Sequence, residues 1–224
     1  MSRPPVGEVR LVPDVAVAFA DLVAAAAPRS IALSGGSTAE ACYSALADRA
    51  EEVAWAEVTV LFGDERWVPP NHPDSNEGMA RRVLLDHVHP GDVHSMAGAA
   101  ADLAAAARAY AGIVAAYAPL DLVHLGLGAD GHTASLFPGS PALDEEVALV
   151  VATGADEHPH PRLTLTYPGI ATARLVVVTV VGSEKARAWA RLCTGDDIPA
   201  ARITAERVVW LVEPAAATGT PDLA

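Results

Sequence analysis

The stretch PLDLVHLGLGADGHTASLFPG, residues 119–139, decides the fold. Through Leu125 it is rich enough in branched and apolar residues to form a strand buried on both faces. Gly126, Gly128 and Gly131 then remove side chains where the backbone must bend sharply or approach a ligand. Asp130 and His132 ride on that turn, and an imidazole moves protons near neutral pH. A buried strand that empties into such a loop suits an α/β sheet whose ligands bind beyond the carboxyl ends of its strands. Gly126 to Gly131 also meets the GxGxxG spacing of a dinucleotide-binding turn. That turn must open a helix, however, and Pro138, Gly139 and Pro141 leave room for little more than one helical turn. The nicotinamide reading drops to a remote alternative, and no cofactor is expected.

The pattern repeats outward. Ser30 to Leu33, Val58 to Phe62, Arg174 to Val181 and Val208 to Val212 read as strands, while Thr38 to Ala50, Leu103 to Tyr117 and Glu184 to Leu192 read as helices. This alternation predicts an α/β fold with a mostly parallel sheet covered by helices on both faces. The loops after Leu33, Phe62, Leu125 and Val181 then converge on one edge. With 224 residues, 51% of them hydrophobic, the chain is expected to form a single domain over residues 1–224. The Pro, Gly and Thr content of Glu213 to Ala224 suggests a loose tail.

Charge excludes some partners. Against 28 acidic residues stand 15 basic ones, a net charge of −13, so nucleic acid is an unfavourable partner. A small anion would need a local pocket of Arg, Lys and backbone amides, which screening over roughly 8 Å permits. The first residues, MSRPPVGEVRLVPD, lack the apolar run of a signal peptide, and no stretch is long and apolar enough to span a bilayer. Two cysteines, Cys42 and Cys193, give neither a disulfide framework nor a metal-ligand spacing. A reducing cytoplasm fits best.

Ser34-Gly-Gly-Ser-Thr38 joins a strand to a helix, supplying hydroxyls and free N–H groups where the helix dipole favours an anion. The competing interpretation is a plain helix cap, with Ser37 as N-cap ahead of Glu40 at the capping-box spacing. Gly63-Asp-Glu-Arg66 brings two carboxylates and a guanidinium to one turn. The eight histidines include His87, His89 and His94 and the His158/His160 pair, none in a zinc pattern, so no metal is expected. There is no GxSxG, and Ser135 has no evident activating partner.

These segments, taken together, resemble the 6-phosphogluconolactonase family, within the superfamily that also holds glucosamine-6-phosphate deaminase. The resemblance runs in one register through Ser34–Thr38, Gly63-Asp-Glu-Arg-Trp-Val-Pro69, Asp74-Ser-Asn76, the glycine-rich turn, RLTLT at Arg162–Thr166, and Val181–Lys185. It implies a Rossmann-like fold with additional strands and helices. It also implies hydrolysis of a sugar phosphate lactone, 6-phospho-D-glucono-1,5-lactone, in the oxidative pentose phosphate pathway, by a monomer or small homo-oligomer. Gly35, Gly36, Ser37, Thr38, Arg162 and Lys185 would hold the phosphate. Arg66 would face the substrate and Asp64 its hydroxyls. His132 would be the general base, with Asp130 orienting it or bonding only its own turn. Amides of the Gly128 to Gly131 turn, or Arg66, would stabilise the oxyanion. DGHTASLFPG and GDERWVP favour the lactonase over the deaminase, which reads DGHIAFNEP and DEY-like at these places. A sensor that kept the phosphate loop without catalysis ranks lower, since no basic helix-turn-helix segment is present and His132 is retained. The chain departs from the family at Glu157-His-Pro-His-Pro161, where a lysine is usual: either His158 or His160 takes its place, or the contact is absent.

Overall fold

The computed structural model describes residues 5–97, 102–153 and 159–218. The chain opens with β1 (Glu8–Leu11) and α1 (Val15–Ala26), whose first turn is capped by the Asp14 carboxylate accepting from the Val17 amide at 3.0 Å. Then come β2 (Ser30–Leu33), α2 (Ser37–Ala47), β3 (Thr59–Phe62) and β4 (Asp64–Arg66). A continuous helical stretch follows: α3 (Asn76–Ala80), a π-helical turn at Arg81–Leu85, and α4 (Asp86–Val88). Next are β5 (Asp92–Val93), α5 (Leu103–Tyr117), β6 (Leu122–Gly126), β7 (Val150–Thr153) and β8 (Arg162–Leu165). The chain closes with α6 (Tyr167–Ala171), β9 (Leu175–Val180), α7 (Ala186–Thr194) and β10 (Arg207–Val212).

Seven strands form one sheet in the order β1-β10-β9-β6-β2-β3-β5, every pair parallel. Its central strands are mostly apolar and almost wholly buried, as Ile31, Val123 and Val177 illustrate, because helices cover both faces. Each such fully buried aliphatic side chain contributes about 1.5–3 kcal/mol of transfer free energy. The chain winds away from β2 through β3 and β5 on one side and from β6 through β9 and β10 on the other. The switch point therefore lies between β2 and β6. A second, antiparallel sheet, β4-β8-β7, stands beyond the carboxyl edge and sets Arg66 directly opposite Arg162.

Two helices, α2 and α7, differ in their bounds from those expected. The helix foreseen to Ala50 stops at Ala47, because Arg49 turns its guanidinium to Asp21 and Glu52 and the chain tightens into a 3-10 turn at Ala50–Glu52. The helix foreseen from Glu184 begins with a 3-10 turn, Ser183–Lys185, and becomes α-helical only at Ala186. Downstream of the glycine-rich turn the next helical element is the four-residue 3-10 turn Pro141–Asp144, which removes the dinucleotide-binding geometry. In the carboxyl-terminal segment, Glu213 accepts from the Gly182 amide at 2.8 Å and Ala216 is buried. Both cysteines are free and buried, Cys42 in α2 and Cys193 in α7, and burial lifts their thiols to about 12 and about 11. Among the described residues, no helix is long and apolar enough to cross a membrane.

Candidate active site

A cleft of about 220 Å³ opens at the switch point, and Gly35, Gly36, Ser37, Thr38, Asp64, Arg66, His132, Arg162 and Lys185 all line it. Of the residues given catalytic or phosphate-binding roles by the resemblance, Asp130 lies outside the lining, hydrogen-bonded to His132.

One wall is the start of α2. The helix is capped by Gly36 at φ 91°, ψ 168°, with no side-chain hydrogen bond, so Ser37 is the first helical residue and the capping-box interpretation fails. Only glycine adopts that backbone readily. The first N–H groups of a helix have no intrahelical partner, and here no hydroxyl competes for them. They make a cradle suited to an anion beside Lys185, which the turn after β9 presents to the same cleft.

The opposite wall comes from β4 and β8. Asp64 is buried, its Oδ2 accepting from Ser135 Oγ at 2.6 Å and its Oδ1 from Asn76 Nδ2 at 3.1 Å. Asn76 Oδ1 in turn accepts from Arg66 Nη1, so one amide fixes both members of the turn. Glu65 points the other way: its buried carboxylate accepts from Ser75 Oγ and from the amides of Arg66, Asn76 and Glu77 at 2.7–2.9 Å. Burial raises its pKa against those donors, and its role is to anchor the start of α3. Arg162 lies 5.4 Å from the Phe137 ring centroid, donates weakly to Ser135 Oγ at 3.5 Å, and has a buried Nε without a partner. Burial lowers its pKa from the ordinary guanidinium value, with Asp64 pulling the other way and Arg66 adding to the fall. A half-buried arginine with an unpartnered Nε, facing a cleft, is suited to an anion.

The glycine-rich turn carries the third wall. His132 Nδ1 lies 2.6 Å from Asp130 Oδ1, which also accepts from the His132 amide at 3.0 Å. Burial opposes ionisation of Asp130, but the His132 amide and imidazole outweigh it and hold the carboxyl below its usual range. The ring packs on Phe137 with centroids 4.5 Å apart, and a Cβ on Gly128 would strike the imidazole, so this glycine is required by close approach. The Gly128 amide donates to the His132 carbonyl at 2.8 Å and the Gly131 amide to the Gly128 carbonyl at 3.0 Å. Those two donors are consumed inside the turn.

Sequence reading missed a buried polar chain beneath the cleft. Thr179, which lines it, lies 3.0 Å from His124 Nε2; His124 Nδ1 lies 2.9 Å from Tyr43 Oη, which accepts from the Ser34 amide at 2.6 Å. Burial holds His124 neutral by lowering its pKa from 6.5 to about 3. This chain ties the ends of β2, β6 and β9 together just where their loops diverge. His158 lies outside the described residues. His160 does not line the cleft; its Nε2 lies 3.0 Å from Asp74 Oδ2.

Cationic side chains gathered at the switch point of a chain whose net charge is −13 single out an α/β enzyme acting on a small anion. The chain belongs to the family of glucosamine-6-phosphate isomerases and 6-phosphogluconolactonases, whose profile matches residues 9–210. It is 40% identical over 199 residues to 6-phosphogluconolactonase of Synechocystis sp., covering 82% of this chain and 81% of that one. With 6-phosphogluconolactonase of Mycobacterium tuberculosis it shares 38% over 218 residues, covering 89% and 88%. The solved structure of 6-phosphogluconolactonase from Trypanosoma brucei superposes with a TM-score of 0.82 at 29% identity, covering 97% of this chain and 98% of that one.

Proposed function

We propose that this enzyme opens 6-phospho-D-glucono-1,5-lactone to 6-phospho-D-gluconate by direct attack of water, with His132 as general base and no covalent intermediate. The observation that carries the proposal is the Asp130–His132 pair set against a cleft lined by cationic groups. Asp130 accepts a hydrogen bond from Nδ1–H, which fixes the tautomer and leaves the Nε2 lone pair for a water molecule. The phosphate sits on the α2 cradle with Lys185 and Arg162, which holds the lactone carbonyl near Arg66. As water adds to the carbonyl carbon, its proton passes to Nε2 and Arg66 stabilises the oxyanion, the Gly128 and Gly131 amides being engaged elsewhere. The tetrahedral intermediate then collapses, the ring C–O bond breaks, and the imidazolium returns the proton to the departing oxygen.

The test is loss of freshly generated lactone in excess chelator, corrected for spontaneous hydrolysis, for wild type, His132→Ala and Asp130→Asn. A general base contributes about 10²–10⁴-fold, so His132→Ala should lose that factor, and Asp130→Asn a smaller one with its fold intact. Wild-type turnover no faster than the spontaneous rate refutes the activity. Undiminished turnover in His132→Ala refutes the mechanism alone.

A further inference from the structure

We propose that His72, Asp74 and His160 form a binding site for a borderline divalent cation of the Zn²⁺ class, at the rim of the cleft and separate from its reacting groups. One ligand atom from each residue lies within 4.8 Å of the others. His160 Nε2 is 3.0 Å and His72 Nδ1 3.8 Å from Asp74 Oδ2, and the two imidazoles meet edge to face with centroids 5.3 Å apart. Two imidazoles and one carboxylate, with a coordination position left for water, suit Zn²⁺ or Co²⁺ better than Mg²⁺ or Ca²⁺, which prefer oxygen.

Local backbone holds the ligands in place. The His72 amide donates to the Pro69 carbonyl at 2.8 Å and the Ser75 amide to the His72 carbonyl at 3.0 Å, closing a tight turn around Pro73. His160 is held by its neighbour: the Pro161 carbonyl accepts from the Trp67 amide at 2.7 Å. Loading the site has a modest cost, since the Asp74 amide now donates to His72 Nδ1 at 3.1 Å and would lose that neutral hydrogen bond. Spacing hid the site because Asp74 and His160 are 86 residues apart.

The position gives the cation something to do. Asp74 precedes Asn76, which fixes Asp64 and Arg66, and His160 precedes Arg162. A bound ion would clamp the Pro69–Ser75 loop to the lead-in of β8, stiffening the wall that carries both arginines. No reaction step passes through it.

Metal-free protein is titrated with Zn²⁺ by calorimetry and with Co²⁺ by visible absorption, which needs no turnover. Wild type should bind one equivalent at sub-millimolar concentration, with tetrahedral Co²⁺ bands and a raised melting temperature. Losing a ligand should weaken binding at least as much as losing an outer partner does, about 10–100-fold, in His72→Ala and His160→Ala alike. His94→Ala, whose imidazole pairs with Asp92 at 3.2 Å, should bind as wild type. No stoichiometric binding in wild type, or binding unchanged in the His72→Ala/His160→Ala double variant, overturns the proposal.

Discussion

Ser135→Ala separates direct hydrolysis from a covalent route. The residue is fully buried and outside the cleft lining, its hydroxyl donating to Asp64 Oδ2 at 2.6 Å and accepting from Arg162 Nη1 at 3.5 Å. Alanine leaves a buried carboxylate oxygen without that donor and Arg162, whose Nε already lacks a partner, with one contact fewer. A hydrogen bond to a charged group contributes about 1.5–3 kcal/mol. For a chain of this size that corresponds to a fall in melting temperature of about 3–12 °C. If the whole amount is expressed in alignment of Asp64 and Arg162 at the transition state, kcat/KM falls about 10- to 150-fold. Thermal unfolding and the lactone-loss assay on the same preparation measure both. Turnover reduced to the spontaneous rate with an unchanged melting temperature would make Ser135 a nucleophile and refute the reasoning. No change in either quantity would show the Asp64–Ser135–Arg162 bridge to be incidental.

His124→Leu should alter how stability depends on pH. Because the folded pKa lies near 3 and the unfolded one near 6.5, the unfolded chain binds an extra proton between them. His124 therefore costs nothing above about pH 6.5 and makes stability fall as the pH drops toward 3, by up to about 1.4 kcal/mol per unit. The leucine variant loses that component of the slope but leaves the Tyr43 and Thr179 hydroxyls short of a partner, costing about 1–3 kcal/mol at neutral pH. Urea midpoints at neutral and mildly acid pH test both effects, and a variant slope equal to that of wild type contradicts the assignment. Gly36→Ala meets no atom within 4 Å, so its effect is purely conformational at φ 91°. It should cost about 1–3 kcal/mol or move the cradle, raising KM more than it lowers kcat. Steady-state kinetics showing the reverse would remove the α2 amides from phosphate binding.

The parallel sheet was legible because strands buried on both faces must be continuously apolar, and SIAL at β2 and LVVVTV at β9 are nearly so. Helix α5 was legible to its ends, since an alanine-rich run bounded by Asp102 and the Ala118-Pro119 pair has few other options. The amino-terminal β1 and α1 were missed, because VAVAFADLVAAA carries too few polar residues to show a helical period. Of the small sheet, β4 and β8 were visible only as motif and β7 was missed, strands of three or four residues being too short to alternate clearly. In the site, residues carried on loops after strands were found from their local chemistry. Asn76, Phe137 and the Tyr43–His124–Thr179 chain were not assigned roles, since their work is pairing with residues remote in sequence.

The small sheet sets Arg66 across from Arg162, two like charges on neighbouring strands whose repulsion the Asp64 carboxylate offsets in part. On the proposed function, a bound sugar phosphate would carry the charge that turns this repulsion into a clamp. Resistance to unfolding should thus follow metabolite supply: starved of ligand, β4 and β8 form the weak seam through which amide exchange and proteolysis begin. Cellular lifetime of the chain would then rise and fall with flux through its own reaction.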